Sequence, residues 1–80
     1  MEKTQITLDK LKEGQHGVVL AVGGSGMLRR RLLDMGLTPN TKVMVVKKAP
    51  LGDPLEISLR GYDLSIRMKD ASEITLKLSE

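Results

Sequence analysis

The residues best equipped for chemistry cluster in one stretch, GGSGMLRRRLLDMG, from Gly23 to Gly36. A glycine-rich turn followed by three arginines is the material of a phosphate grip, with backbone N–H groups and cations gathered on one anion. The spacing argues against it. A P-loop places Lys-Ser or Lys-Thr directly after its last glycine, and a dinucleotide fingerprint sits in a βαβ unit. Here Gly26 is followed by Met27 and Leu28, and no second βα unit follows. A GxxG clamp for a nucleic-acid backbone is formally present, but its variable positions are Gly24 and Ser25, which carry no charge. On a helix Arg29, Arg30 and Arg31 step round by about 100° each, so they diverge instead of closing on one anion.

Catalytic constellations are equally thin. His16 is the only histidine, and there is no cysteine, so neither a disulfide nor a thiolate or multi-histidine metal site can form within the chain. Asp34, Asp53, Asp63 and Asp70 are scattered, with no spacing that brings paired carboxylates together. The expectation is a protein that is not an enzyme and has no cofactor and no metal centre.

Net charge narrows the remaining classes. Thirteen Lys and Arg against ten Asp and Glu give +3, with the signs interspersed as on an ordinary solvated surface. Tyr62 is the only aromatic residue, which removes the stacking platforms of single-strand nucleic-acid binders and the aromatic grooves of proline-rich peptide readers. No apolar run approaches the ~20 residues of a membrane span, and no basic-then-apolar stretch suggests an export leader. Membrane insertion is not expected, and a cytoplasmic location is.

The elements that must position these residues follow from periodicity. One domain over residues 1–80 is expected, with no internal repeat or linker. After a short extended piece, Asp9 caps a single turn and VVLAV (Val18–Val22) reads as a strand buried on both faces. Gly23-Gly24 breaks that strand, and Ser25 is a candidate N-cap. Leu28, Leu32 and Met35 share one face of a helix over about Gly26 to Met35, which Gly36 stops. From Lys42 the period drops to two. KVMVVKK, LEISLR, YDLSIRM and EITLKL read as strands, with Gly61 in a tight hairpin and Lys69–Ser72 a polar turn. About five short strands share one apolar interior best as a small closed barrel with one inserted α-helix.

Two places combine exposed apolar and charged groups on constrained backbone. On the helix, Leu33 points away from the apolar stripe, flanked by Arg29 and Arg30. In APLGDPLEI, Pro50 and Pro54 bracket a stiff turn that offers Leu51, Gly52 and Asp53. These six residues form the expected partner-binding surface. A basic patch of Lys42, Lys47, Lys48, Arg60 and Arg67 supports the alternative of a small barrel that binds nucleic acid, though no nucleic-acid partner is expected.

Several pieces together resemble a known family. RLLDMGLTPNT at Arg31–Thr41, APLGDP at Ala49–Pro54 and RGY at Arg60–Tyr62 are similar in order and spacing to FeoA, over Arg31–Ile74. The preceding strand fits the same pattern with Gly17, Val19 and Val22. The resemblance implies an SH3-like barrel and an accessory or regulatory role in bacterial ferrous iron uptake. It also implies a partner, FeoB, a membrane Fe(II) transporter with a cytosolic GTP-binding domain. The repressors that carry similar domains need helical DNA-binding segments, which this chain lacks. Weak self-association through an edge strand remains open.

Overall fold

The structure is a computed structural model and describes residues 5–79. The chain runs β1 (Gln5–Thr7), a 3-10 turn (Leu8–Lys10), β2 (His16–Val22), α1 (Gly26–Asp34), β3 (Lys42–Lys48), β4 (Leu55–Leu59), β5 (Tyr62–Ile66), α2 (Met68–Ala71) and β6 (Ile74–Ser79). All strands pair antiparallel in one sheet of order β1-β6-β2-β3-β4-β5. The expected mainly β architecture with one inserted helix over about 26–35 is thus observed.

Two details differ from expectation. There are six strands among the described residues instead of about five, because Gln5-Ile6-Thr7 pairs with Lys77, Leu76 and Thr75. Three residues are too few to announce a strand by alternation. Among the described residues the sheet also does not close by hydrogen bonds: β1 and β5 are its two ends without a further strand partner. Leu32 of α1 and Ala71 of α2 are fully buried and join the core cluster.

The core cluster is aliphatic. Leu8, Leu11, Val19, Val43, Val45, Leu55, Ile57, Ile74 and Leu76 are fully buried in one cluster with Leu32 and Leu37. These residues alternate along each strand, so the sheet has one covered face and one wet face. The run Val18–Val22 follows that rule instead of being buried on both sides. Val19 and Val22 point inward while Leu20 is exposed, since nothing packs on the outer face. A register shift between Val19 and Ala21 accompanies the change. Gly17 lies within β2. A β-carbon there would meet the Lys77 carbonyl oxygen at 2.8 Å and the Leu76 Cβ at 3.3 Å.

The helix is shaped at its ends by different means. Ser25 occupies the N-cap position in extended conformation, but its side chain makes no capping bond. Asp9 likewise makes no cap, and its Oδ1 is buried without a partner. At the C-terminus the expected stop is fully formed. Gly36 has φ 101°, its N–H donates to Leu33 O, and Leu37 N–H donates to Leu32 O. That is a Schellman closure, and Leu37 is buried beneath it.

The turn expected at Lys69–Ser72 is helical in part, as α2. Its first residue, Met68, leaves the line of β5, and its N–H donates to Asp53 Oδ1 at 3.0 Å. A polar, four-residue helix has no periodicity to read.

Candidate functional site

The α1–β3 connection is clasped by the β4–β5 hairpin. Arg60 and Gly61 form a two-residue loop with φ 51° and 85°, the geometry of a type I′ turn. From there the Arg60 guanidinium donates to Gly36 O at 3.3 Å and to the hydroxyls of Thr38 and Thr41, each at 2.9 Å. Tyr62 donates its hydroxyl to Met35 O. Orphan carbonyls at the helix C-terminus are thereby satisfied by two side chains from a different element. The motif residues at 31–41 and 60–62 are therefore packed together by contact.

The outward side of α1 carries the first half of the expected surface. Gly26, Met27, Arg29, Arg30, Leu33 and Asp34 line an open cleft of about 670 Å³. Arg29 is anchored there, because its Nε donates to Val22 O at 3.0 Å. Arg30 is exposed and Leu33 is half-buried, packed against the core. Met27 is 87% exposed and was missed by the sequence reading. The signal was present, because Met27, Arg30 and Asp34 share one helical face at steps of three and four. Arg30 and Asp34, four apart on the helix, form no ion pair among the described residues. Arg31 bonds Asp70 instead, at 3.6 Å.

The second half lies elsewhere. Leu51 is 96% exposed at the tip of its loop. Gly52 N–H closes the turn onto Ala49 O at 2.7 Å, and Asp53 is tied to α2 through Met68 as described. Neither Leu51, Gly52 nor Asp53 lines the α1 cleft. The six expected residues thus fall on two constrained patches.

The basic residues of the alternative reading do not converge either. Arg60 is committed to the clasp, and Lys48 is half-buried with its N–H given to Glu13 Oε2. Lys42 and Arg60 share a shallow cleft with His16, Met44 and Ser58, while Arg67 borders a different one. No group of three or more His, Cys, Asp or Glu side chains is placed to hold a metal ion among the described residues. No helix among them is long and apolar enough to cross a membrane.

A family model for the FeoA domain matches residues 6–78. The chain belongs to the FeoA family. A Porphyromonas gingivalis Fe(2+) transport protein A/Fe(2+) transporter FeoB fusion protein is 37% identical over 71 residues, covering 89% of this chain and 8% of its own length. This chain thus spans less than a tenth of that curated relative. An NMR structure of a FeoA-like protein from Clostridium acetobutylicum superposes with a TM-score of 0.89 at 30% identity, covering 99% of this chain and 92% of that one. The zinc-complexed crystal structure of Stenotrophomonas maltophilia FeoA, described as a procaryotic SH3 domain protein, gives 0.79 at 25% identity, covering 90% and 89%. The SH3-like fold and the FeoA resemblance of the motifs are both supported by these matches.

Proposed function

We propose that residues 1–80 act as one cytoplasmic FeoA module that binds a FeoB-type Fe(II) transporter and assists or regulates it without catalysing a reaction. The observation that carries this reading is the P. gingivalis relative, in which a FeoA domain and FeoB share one polypeptide. Fusion holds two partners at high effective concentration, so it is favoured where the separate chains already work in contact. The S. maltophilia protein is described in similar terms, as a candidate ferrous iron transport activating factor.

The contact surface proposed is the outer side of α1, with Arg29, Arg30 and Leu33, together with the Leu51-Gly52-Asp53 loop. Exposed Met27 and Leu51 supply apolar anchors, and the arginines supply charge that speeds encounter more than it deepens affinity. The test is binding of the cytosolic portion of the cognate FeoB-type transporter by surface plasmon resonance. Arg30→Glu and Met27→Asp should each weaken binding about tenfold. Leu51→Asp separates the two patches, because it reports on the loop alone. All three positions are exposed, so thermal melts should match wild type. Unchanged affinity in all three would overturn this surface, and no binding by wild type would overturn the partner.

A further inference from the structure

The free edge of β5 has a cleft beside it. The two-residue turn at Arg60-Gly61 makes Leu59 and Tyr62 the closing pair of the hairpin, and the register then runs without a shift to Leu55 and Ile66. In such a ladder alternate pairs exchange hydrogen bonds, so Tyr62, Leu64 and Ile66 bond to β4. Asp63 and Ser65 therefore turn their N–H and C=O groups away from β4, toward the unpaired side of the sheet. Neither backbone accepts or donates any other hydrogen bond to the described residues.

Across that edge lies α1. Leu28, Arg31 and Met35 on the helix face Ser65, Ile66 and Arg67 across a cleft of about 690 Å³. A contact already described spans each end of the cleft. Tyr62 holds Met35 at one end, and Arg31 reaches Asp70 at the other. An extended chain laid about 4.8 Å from β5 would complete the ladder. Its side chains would alternate between the helix and the outer face of the sheet. On the helix side they meet the half-buried Leu28 and Met35. On the outer side they meet Ser65 and Arg67, with Lys69 close by. Arg31, Arg67 and Lys69 set three cations around this cleft against two carboxylates, Asp70, whose side chain is only 16% exposed, and the exposed Asp63 of the edge strand itself.

We propose that the α1–β5 cleft binds an extended peptide segment that alternates apolar and acidic residues, by adding a strand to the free edge of β5. Main-chain pairing supplies affinity in this mode, and the side pockets supply selectivity. The site is separate from the Met27–Leu33 side of the helix, and it stands whether or not the transporter assignment holds.

The test begins with selection on the full chain from a phage-displayed library of random peptides roughly ten residues long, more than enough to span β5 (Tyr62–Ile66). Enriched sequences should alternate apolar with acidic residues. Their synthetic versions should shift the amide resonances of Asp63, Ser65 and Arg67. Arg67→Glu should weaken them at least about tenfold and flatten the dependence on salt. Ser65→Pro removes an outward-facing donor at an edge position that tolerates proline, so the fold should survive while binding is lost. If Ser65→Pro fails to fold, Arg67→Glu together with the amide shifts still decides. Absence of any convergent sequence, shifts confined to other elements, or equal binding by the folded variants would overturn the proposal. So would sedimentation as a dimer that Ser65→Pro dissociates, since the edge would then belong to a second copy of the chain.

Discussion

Arg60 stands at a left-handed position that favours glycine or asparagine, with φ 51°, and an L side chain there costs about 1 kcal/mol. What offsets that cost is the fork of its guanidinium, which reaches Gly36 O, Thr38 and Thr41 at once. Arg60→Ala keeps the β-carbon and its strain while deleting all three bonds. It should destabilise the domain by about 1–2 kcal/mol in urea denaturation, the solvent-exposed rim of the clasp limiting the loss. Arg60→Asn relieves the backbone as well, so its loss should be smaller than that of alanine. An alanine variant as stable as wild type would show that the clasp contributes nothing. Gly17 poses the opposite problem, close approach without an unusual φ. Gly17→Ala drives a methyl into the Lys77 carbonyl at 2.8 Å, backbone that can yield only by parting β2 from β6. An overpacking loss of about 2–3 kcal/mol is expected, read as a lower midpoint in the same denaturation.

At the level of elements, α1 owes its length to its C-terminal stop. A β-carbon on Gly36 would meet Arg60, Leu59 and Tyr62 side-chain atoms at 3.4 Å, ordinary contact. Gly36→Ala therefore tests backbone conformation alone and should cost about 1–2 kcal/mol by thermal or urea unfolding. A loss near zero would mean that Gly36 relaxes out of its left-handed φ without consequence. This stop was legible in the sequence, because Gly36, Leu37 and Pro39 follow an apolar stripe and leave few other solutions. So were β3, β4 and β5 as strands, since their apolar residues alternate with a period of two, although Tyr62 at the start of β5 is 43% exposed. The N-cap was not: Ser25 sits in place, yet no hydroxyl bond forms, a matter of rotamer that residue type does not fix. Nor was α2, a single turn of mixed polarity whose first N–H is held by Asp53 from a distant loop. Likewise the two proposed contact patches were picked out by residue type, but their placement depends on loop paths that no local pattern encodes.

For the molecule as a whole, the unclosed sheet sets a gradient of local stability. β6, β2, β3 and β4 each have a neighbour on both sides, while β1 and β5 have one. Opening of a strand held on both sides requires breaking two ladders over an aliphatic core, so its amides exchange only with near-global unfolding. Val19 N–H, bonded to Thr41 O, and Val45 N–H, bonded to Gln15 O, lie in that central group. Native-state hydrogen exchange should rank them among the slowest. Along β5 the rates should alternate with the register. Leu64 and Ile66 amides, turned to β4, should exchange about a hundredfold or more slowly than those of Asp63 and Ser65. Dilution separates the causes of any departure. Slow exchange of Asp63 and Ser65 that speeds up on dilution means the edge is paired with another chain. Slow exchange independent of concentration means the molecule covers its own edge, and then β5 has no free side to offer. Fast exchange at both residues, slowed by a bound peptide, is the result that an unpaired edge beside a basic cleft requires.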